Sequence, residues 1–362
     1  MPFALSRIFP PPAYITMPSI GVDVSDTSLK YVSFKPTLRA NVSREIVQWG
    51  SIDIPSGVVN RGQVDDPKKL VAIMQEFKET TKAEFVRVSL PEERAYLFET
   101  EIKKNTPLKE VRGLLEFRLE ENVPIPSRDV FFDYSILPID PQSRSAHVSV
   151  VAYSKDTIQN YYDSCVTTGL QPVSFEVEAQ AMARAMVPAN LAGASMVVDF
   201  GKTRTGVGIV YQGALLYTST IDIGGDQLSQ VLRKELGEKT ESELTQIKNT
   251  QGLVGSATDT KVRDALISTI SVIKDDLQTR MQYWHLRGGV HNDRRITSVI
   301  LCGGSANLLG FPEYLSETLG VHTFRGNIWE NAFSLENTIP PIDRRHSYGY
   351  AAAVGLALKN IV

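Results

Sequence analysis

The chain has 362 residues, of which 42% are hydrophobic and 22% are charged, a composition typical of a globular protein of roughly two domains. Its 38 Lys and Arg residues against 41 Asp and Glu residues give a net charge of -3 without blocks of like charge, which excludes a predominantly electrostatic nucleic-acid binder. No stretch of the sequence approaches ~18 uninterrupted apolar residues, so we expect no transmembrane helix.

The first 18 residues are expected to form an extension that precedes the folded part of the chain. They contain three consecutive prolines, Pro10, Pro11 and Pro12, which favour an extended backbone and end any helix begun before them. They carry one charge, Arg7, and lack a continuous apolar segment, so they do not have the pattern of a secretory signal peptide.

Two segments, one in each half of the chain, repeat a single pattern. Residues 19–34 and 195–210 each read as an apolar strand that ends in Asp, a short turn of Gly, Ser or Thr, and a second strand. A further β-rich run follows each of them, at 45–54 and at 214–223, the latter after the hairpin-forming pair Gln212-Gly213. The repetition predicts two related α/β domains.

Between and after these repeats, the hydrophobic spacing predicts further helices and strands. Helices are expected at 66–77, 107–119, 155–168, 177–186, 227–236, 241–249, 261–287, immediately after 303–305, and at 348–359, and strands at 84–90, 130–137, 147–153 and 298–302. The elements that precede the helix at 177–186 include a compact α+β insert.

The turn after the first strand of each repeat has the side chains of a magnesium and phosphate site. Asp23 and Asp199 each end a buried strand, where a carboxylate can hold Mg2+ or its water ligands. The turns offer hydroxyls and backbone N–H groups to phosphate oxygens, at Ser25, Thr27 and Ser28 in the first and at Gly201, Thr203 and Thr205 in the second. Lys30 adds a positive charge for the phosphates. One such turn alone is more often a structural cap, so the pairing of the two carries the prediction of a clamped polyphosphate.

A third feature is the sequence Leu301-Cys302-Gly303-Gly304-Ser305, where a buried strand breaks into two glycines. Glycines let the backbone approach a flat ligand closely, and the N–H groups of a following helix point towards that ligand. By itself the feature is equally compatible with an ordinary strand-to-helix turn. It lacks the dinucleotide fingerprint G-x-G-x-x-G, and the sequence has no Walker A loop.

The order of these features along the chain is similar to that in the actin and sugar-kinase superfamily: a phosphate turn, a connecting helix, a second phosphate turn and a glycine–glycine turn. Within it, the chain most resembles the PilM family of FtsA-like proteins, because an insert precedes the connecting helix. The likeness covers residues 19–362, and the segments that carry it are Ile20–Lys30, Glu176–Arg184, Val198–Gly201, Ile221–Gly225 and Ala352–Leu358.

The resemblance implies an actin-like (ribonuclease H-like) α/β fold of two duplicated domains with an FtsA/PilM-type inserted subdomain. After the extension at 1–18, it implies subdomain 1A at 19–84 with a connecting segment at 173–194, the inserted subdomain 1C at 85–172, subdomain 2A at 195–225 and 296–345, a helical subdomain 2B at 226–295, and a C-terminal helix at 346–362 that returns to 1A.

Carried over position by position, the resemblance implies that ATP and Mg2+ lie between the two domains, with Asp23 and Asp199 facing the Mg2+ directly or through water. The implied nucleotide-binding residues are Asp23, Ser25, Asp26, Thr27, Ser28, Lys30, Asp199, Gly201, Lys202, Thr203, Thr205, Gly224, Gly225, Gly303, Gly304, Ser305 and Asn307. Glu176 or Glu178 would polarise an attacking water. Ser25 stands where many members have Gly, and its Cβ narrows the turn, so we expect at most slow ATP hydrolysis.

The function that the resemblance implies is an ATP-binding scaffold of a type IV pilus, or of a related secretion-like platform. The implied partner is the N-terminal cytoplasmic tail of a PilN-like inner-membrane protein, held in a groove beside the inserted subdomain, with other pilus assembly proteins as further partners. Binding to that tail would place the chain in the cytoplasm at the inner face of the membrane, and the nucleotide would bridge the two domains. The sequence leaves open whether the chain forms homodimers or larger assemblies.

Two other functions are retained as alternatives. An FtsA-like filament protein of cell division is disfavoured because that family ends in an amphipathic membrane-targeting helix, whereas this sequence ends at Leu358-Lys-Asn-Ile-Val362. A small-molecule kinase of the same superfamily would need a general-base carboxylate, for which Glu176 and Glu178 are the candidates, and a sugar-recognition cluster, which the sequence does not display.

Overall fold

A computed structural model of the chain describes residues 17–36, 43–138, 143–188, 191–254, 260–287 and 294–359, so that almost all of the predicted N-terminal extension lies outside the described residues. The strands are β1 (Ser19–Val24), β2 (Ser28–Phe34), β3 (Ile46–Asp53), β4 (Val59–Asn60), β5 (Gln63–Val64), β6 (Phe85–Leu90), β7 (Tyr96–Lys103), β8 (Val130–Ile136), β9 (Ser145–Ser154), β10 (Gln171–Val177), β11 (Ala194–Phe200), β12 (Thr205–Tyr211), β13 (Ala214–Ile221), β14 (Ile296–Cys302) and β15 (His322–Arg325). The helices are α1 (Pro67–Thr81), α2 (Leu108–Asn122), α3 (Lys155–Thr167), α4 (Glu178–Met186), α5 (Gly225–Leu236), α6 (Glu241–Thr250), α7 (Lys261–Arg287), α8 (Phe311–Leu319), α9 (Arg344–Ser347) and α10 (Ala351–Leu358).

Two five-stranded sheets with the same pattern of strand directions form the centres of the two halves. The first has the order β10-β6-β1-β2-β3 and the second the order β13-β12-β11-β14-β15. In each sheet, the first three strands along the chain pair antiparallel, and two later strands add in parallel beside the first. The duplication that the repeated sequence pattern predicts is therefore present in the pairing of the strands.

Corresponding positions in the two sheets carry the two predicted carboxylates. Asp23 of β1 is in register with Lys30 of β2, and Asp199 of β11 is in register with Gly206 of β12. Each of these first strands lies in the middle of its sheet with a parallel neighbour on its other side. The carboxyl ends of parallel strands share one edge of a sheet. That edge carries the turns after β1 and β6 in the first sheet and the turns after β11 and β14 in the second.

A separate three-stranded sheet in the order β7-β9-β8 is covered by α2, which buries Val111, Leu115 and Leu119 against it. This inserted sheet, β7 to β9, spans 96–154, whereas the predicted subdomain 1C spans 85–172. The span is shorter because β6 and β10 pair within the first five-stranded sheet and α3 packs against α1.

The small-residue C-terminal helix α10 packs closely against α4 and β1. Both contacts are possible only because a glycine stands at the point of closest approach. A Cβ on Gly355 of α10 would overlap the carbonyl oxygen of Ala181 in α4, and a Cβ on Gly21 of β1 would overlap the carbonyl oxygen of Ala353. The close approach holds α4 against the edge of the first sheet where the predicted site lies.

The long helix α7 corresponds to the helix predicted at 261–287 and buries Ile270, Ile273, Leu277, Met281 and Trp284 in the core of the second half. The helix expected directly after Gly303-Gly304 is instead a short 3-10 turn at Gly304–Asn307, and α8 starts only after the left-handed Gly310. Among the described helices, none is long and apolar enough to cross a membrane.

Candidate functional site

The first predicted phosphate turn lies between β1 and β2. The Ser25 hydroxyl donates to the carbonyl oxygen of Ser28 at 3.0 Å and accepts from the backbone N–H groups of Thr27 at 3.4 Å and Ser28 at 3.2 Å. The Lys30 ammonium donates to Ser28 Oγ at 2.6 Å. The hydroxyl of Ser25 therefore occupies the inside of the turn and links its backbone groups. The hydrogen bond to Ser28 holds the Lys30 ammonium at the edge of the turn.

The second turn, between β11 and β12, is joined to two further glycine turns through Gly201. Its carbonyl oxygen accepts the backbone N–H of Gly225 at 3.0 Å and the hydroxyl of Ser305 at 2.9 Å. Thr205 is buried, and its hydroxyl donates to the carbonyl oxygen of Ile223 at 2.7 Å. Three of the predicted turns thus meet at one carbonyl group.

The start of α5 packs directly on this second turn. The backbone N–H of Asp226 donates to the carbonyl oxygen of Lys202 at 2.9 Å, and Thr203 lies half-buried beside it. A Cβ on Gly224 would lie 2.5 Å from that Lys202 oxygen, so only glycine permits the contact. The N-terminal N–H groups of a 12-residue helix therefore lie at the edge of the turn.

Gly303 brings the end of β14 into contact with Asp199. Its φ is +86°, and a Cβ there would overlap Asp199 Oδ1 and lie 2.5 Å from the carbonyl oxygen of Phe200. A Cβ on the next residue, Gly304, would meet no atom within 4 Å, so this residue faces open space. Asn307 is engaged, since its amide donates to the carbonyl oxygens of Gly304 at 3.1 Å and Arg345 at 2.9 Å.

The two predicted Mg2+-facing carboxylates are close enough to perturb each other. Burial, and then the negative charge of Asp23, raise the pKa of Asp199 from 3.8 to about 6, and Lys30 and Arg204 oppose this rise. Burial also raises the pKa of Asp23, against the attraction of Lys30. The structure therefore brings Asp23, Lys30 and Asp199 together in one cleft between the two sheets.

A second carboxylate pair, Glu92 and Glu178, lies in the same cleft. Glu92 follows β6 in a 3-10 turn, and Glu178 is the first residue of α4. Burial raises the pKa of Glu92 from 4.5 to about 7, a hydrogen bond with Glu178 opposes this, and the charges of Glu93 and Asp199 add to it. Burial, followed by the charges of Glu92 and Asp23, raises the pKa of Glu178 well above its usual range.

The structure separates Glu176 from this cluster, which corrects its candidacy as a water-polarising residue. Its carboxylate oxygens accept hydrogen bonds from both terminal nitrogens of Arg184, with Oε2 2.7 Å from Nη1. The ammonium group of Lys359 lies 3.6 Å from its Oε1. Glu176 lies in β10 and Glu178 is the first residue of α4, so the change from strand to helix between them turns their side chains in different directions, and only Glu178 lies in the cleft.

Sequence reasoning missed four polar residues of the cleft: Glu92, Glu93, Arg204 and Lys248. The first two directly follow a buried strand in Leu90-Pro91-Glu92-Glu93, the same strand–carboxylate pattern as at Asp23, which could have pointed to them. The buried ammonium of Lys248 on α6 donates to the carbonyl oxygen of Gly225 at 3.2 Å and to Ser229 Oγ at 2.8 Å. No sequence signal distinguishes Lys248 from other helical lysines.

The donor set of the cleft fits a divalent cation. Asp23 Oδ1 and Glu178 Oε1 are buried and lack a hydrogen-bond partner in the described part of the chain. Over the same ranges, no three Asp, Glu, His or Cys side chains converge to ligate an ion by themselves. This pattern is typical of Mg2+ held by one or two carboxylates and completed by phosphate oxygens and water.

A second site is a cavity of about 900 Å3 beside the inserted sheet. Its walls come from the edge strand β8, from helix α4 and from the β12–β13 hairpin, represented by Phe131–Ser135, Gln180, Ala183, Arg184, Gly213 and Leu215. Glu176 lines this cavity, together with Lys359. The cavity, called the groove below, therefore touches both halves of the molecule.

A family model described as type IV pilus assembly protein PilM matches residues 21–361. The chain belongs to the PilM family. The match excludes only the first 20 residues and the last one. The family resemblance predicted from the sequence is therefore confirmed, and membership of this family assigns the chain to type IV pilus assembly.

Similar solved structures agree with the actin-like fold predicted from the sequence. The PilM-PilN type IV pilus biogenesis complex matches with a TM-score of 0.74 at 20% identity, over 95% of this chain and 98% of that one. The ethanolamine utilization protein EutJ from Carboxydothermus hydrogenoformans matches with a TM-score of 0.55 at 16% identity, over 94% and 89% of the chains. MreB5 of Spiroplasma citri bound to ADP matches with a TM-score of 0.50 at 13% identity, over 87% and 93%.

Proposed function

We propose that the chain is an ATP-binding scaffold of the type IV pilus assembly platform, and that its groove binds the N-terminal cytoplasmic tail of a PilN-like membrane protein. The observation that carries this proposal is the groove of about 900 Å3 along the edge of the inserted sheet. Membership of the PilM family and the similarity to a PilM-PilN complex support the choice of partner. Binding to that tail holds the chain at the inner face of the cytoplasmic membrane.

The groove has the features of a site for an extended peptide. In the described part of the chain, β8 pairs with β9 on one side only, and five consecutive residues of β8, Phe131–Ser135, line the groove. An edge strand offers a row of backbone N–H and C=O groups to an added strand. Apolar residues such as Val151, Phe175 and Leu215 line the remaining walls and suit alternate apolar side chains of the peptide.

Helix α4 connects the nucleotide cleft to the groove. Glu178 at its start lies in the carboxylate cluster, and Gln180 lines the groove. The Gln180 amide donates to the carbonyl oxygen of Gly213 at 3.0 Å and accepts the backbone N–H of Leu215 at 2.8 Å, which ties α4 to the β12–β13 hairpin of the other half. A nucleotide that brings the halves together therefore changes the groove, and by linkage peptide binding changes nucleotide affinity.

The cleft favours nucleotide binding over rapid hydrolysis. Asp23, Asp199 and Lys30 provide the charges for a metal-bound polyphosphate, and Gly303 and Gly304 leave room beside them. Burial raises the pKa of Glu178, the remaining candidate for polarising water, well above its usual range. The Ser25 side chain, which occupies the first phosphate turn through its hydrogen bonds to Thr27 and Ser28, supports at most slow ATP hydrolysis.

Replacing Phe131 with serine is expected to weaken binding of the peptide about tenfold, since exposed aromatic residues at a groove supply much of the binding energy. Phe131 is 45% exposed and lines the groove. The measurement is isothermal titration of the full chain with a synthetic peptide that covers the N-terminal cytoplasmic tail of the PilN-like protein of the same organism.

Phe117→Ser is the matched control, because Phe117 is 77% exposed on α2 of the same insert and does not line the groove. It should bind the peptide as the natural chain does. A natural chain that is folded and binds no peptide, with or without ATP, would refute the proposed partner.

Asp199→Asn is expected to lower the affinity for ATP at least tenfold in the presence of Mg2+ and by less than about twofold in EDTA. The reason is that asparagine has the shape of aspartate but lacks the negative charge that holds the metal. Asp65→Asn, on an exposed residue outside the cleft, is the control. Titration of each variant with ATP at a fixed excess of MgCl2 or EDTA measures the difference. Equal losses in both buffers would contradict a metal-holding role for Asp199.

A further inference from the structure

Arg204, in the turn between β11 and β12, reaches across the cleft to two carboxylates of the first half. Its Nη2 lies 3.0 Å from Asp26 Oδ1, and its Nε lies 2.5 Å from Glu93 Oε1. The three side chains are 16%, 13% and 15% exposed, respectively. The bridge is therefore largely shielded from water, where the attraction between opposite charges is stronger than on the surface.

Asp26 is held in place from its own side of the cleft. Its carboxylate also accepts the backbone N–H groups of Arg61 at 3.2 Å and Gly62 at 3.3 Å, in the short β4–β5 hairpin. The guanidinium of Arg204 is planar, so the hydrogen bond from Nη2 to Asp26 and the ion pair with Glu93 fix its orientation. The position of its third nitrogen follows from these two contacts.

That third nitrogen, Nη1, is buried and has no hydrogen-bond partner among the described residues, and the same holds for both carboxylate oxygens of Glu93. Leaving a charged donor without a partner in a buried position costs free energy, so such a group is expected to meet an acceptor in another state of the protein. The charge of Arg204 acts on Asp199, Glu178 and Glu92, which places the guanidinium beside the carboxylate cluster of the cleft.

We propose that Nη1 of Arg204 binds the terminal phosphate of a nucleoside triphosphate, while Asp26 and Glu93 hold the guanidinium across the cleft. The inference rests on the proposed nucleotide binding and adds what distinguishes ATP from ADP. The third phosphate supplies the acceptor that Nη1 lacks, and Arg204 then joins both halves and the nucleotide in one set of bonds. Closure of the two halves thereby depends on the terminal phosphate.

The test is isothermal titration of the full chain with Mg-ATP and with Mg-ADP, comparing the natural chain with Arg204→Gln. The variant should bind ATP at least tenfold more weakly and ADP less than about threefold more weakly. Arg61→Gln is the control, because Arg61 also pairs across the cleft, with Asp222, but on the exposed surface. It should leave both affinities within about twofold.

Losses of equal size for ATP and ADP, or no loss for either, would overturn the assignment of Arg204 to the terminal phosphate. A natural chain that binds neither nucleotide would instead refute the proposed nucleotide binding, and this inference with it. The bridge has its own readout, urea unfolding of the nucleotide-free chain with Arg204→Gln, Glu93→Gln and the double variant. Effects that add without coupling would show that the two side chains do not hold the halves together.

Discussion

Replacing Gly355 with alanine is expected to lower the free energy of unfolding by about 3 kcal/mol, the upper part of the range for overpacked cores. The added Cβ would overlap the carbonyl oxygen of Ala181, a backbone atom of α4 that cannot turn aside as a side chain could. Relief of the overlap requires α10 and α4 to move apart, which also shifts Glu178 and Gln180. Urea unfolding measures the stability, and the same protein should lose affinity for both peptide and nucleotide.

Gly113→Ala is the matched control, since Gly113 also lies in a helix but a Cβ there would meet no atom within 4 Å. Alanine is the better helix former, so this change should stabilise the protein by about 0.5–1 kcal/mol. If Gly355→Ala also stabilised the protein, the close crossing of α4 and α10 would be wrong.

Replacing Glu92 with glutamine is expected to raise the free energy of unfolding of the nucleotide-free chain by about 3 kcal/mol at pH 8 and to change it little below pH 4.5. Burial is the main reason that the pKa of Glu92 rises from 4.5 to about 7 in the folded chain. A carboxyl with a raised pKa in the folded state binds its proton more tightly there than in the unfolded state. Its contribution to stability is therefore full below pH 4.5 and is lost as the pH rises through 7.

Urea unfolding between pH 4 and pH 8 measures this effect, with Glu84→Gln on an exposed position as the control. The difference in stability between Glu92→Gln and the natural chain should grow with pH, whereas the control should show no such growth. A constant difference would mean that Glu92 keeps an ordinary pKa in the folded chain. Saturating Mg-ATP should reduce the difference, because the cation of the bound nucleotide offsets the negative charge of the cleft.

The relation between the cleft and the groove explains why one short helix matters to both sites. Helix α4 has nine residues, and seven of them are buried. Its small side chains let β12 approach closely, since a Cβ on Gly208 would lie 2.7 Å from that of Ala179. A helix packed this tightly moves as a rigid body, so a displacement at Glu178 reaches Gln180 and Arg184 without being absorbed between them.

Local pattern was sufficient to predict the strands that carry Asp23 and Asp199, the connecting helix and the long helix α7. Alternation and spacing of apolar residues report which face of an element is buried, and the repeat of strand, Asp and turn reports that two halves are related. The strands β7, β10 and β15 were missed because they are half-exposed or short and carry no such pattern.

The candidate site was predicted only where its residues belong to the repeated turns. Glu92 and Glu93 lie in a different loop, and Arg204 lies in a predicted turn but does its bonding across the cleft, to Asp26 and Glu93. Glu176 and Glu178 are two positions apart and look equivalent in sequence, yet one pairs with Arg184 in the groove and the other with Glu92 in the cleft. The chain changes from strand to helix between these two residues, and this change points their side chains in different directions.

The sequence by itself determined a near-neutral, two-part α/β chain with one carboxylate turn in each half, because composition and short-range periodicity depend only on neighbours along the chain. The tertiary structure decided which charges share the cleft and which line the groove, since pairs such as Asp26 and Arg204 are 178 positions apart and meet only when the two sheets face each other. The net charge of -3 conceals this distribution. Acidic groups collect in the cleft, where burial shifts their pKa values, and the groove beside it is largely apolar.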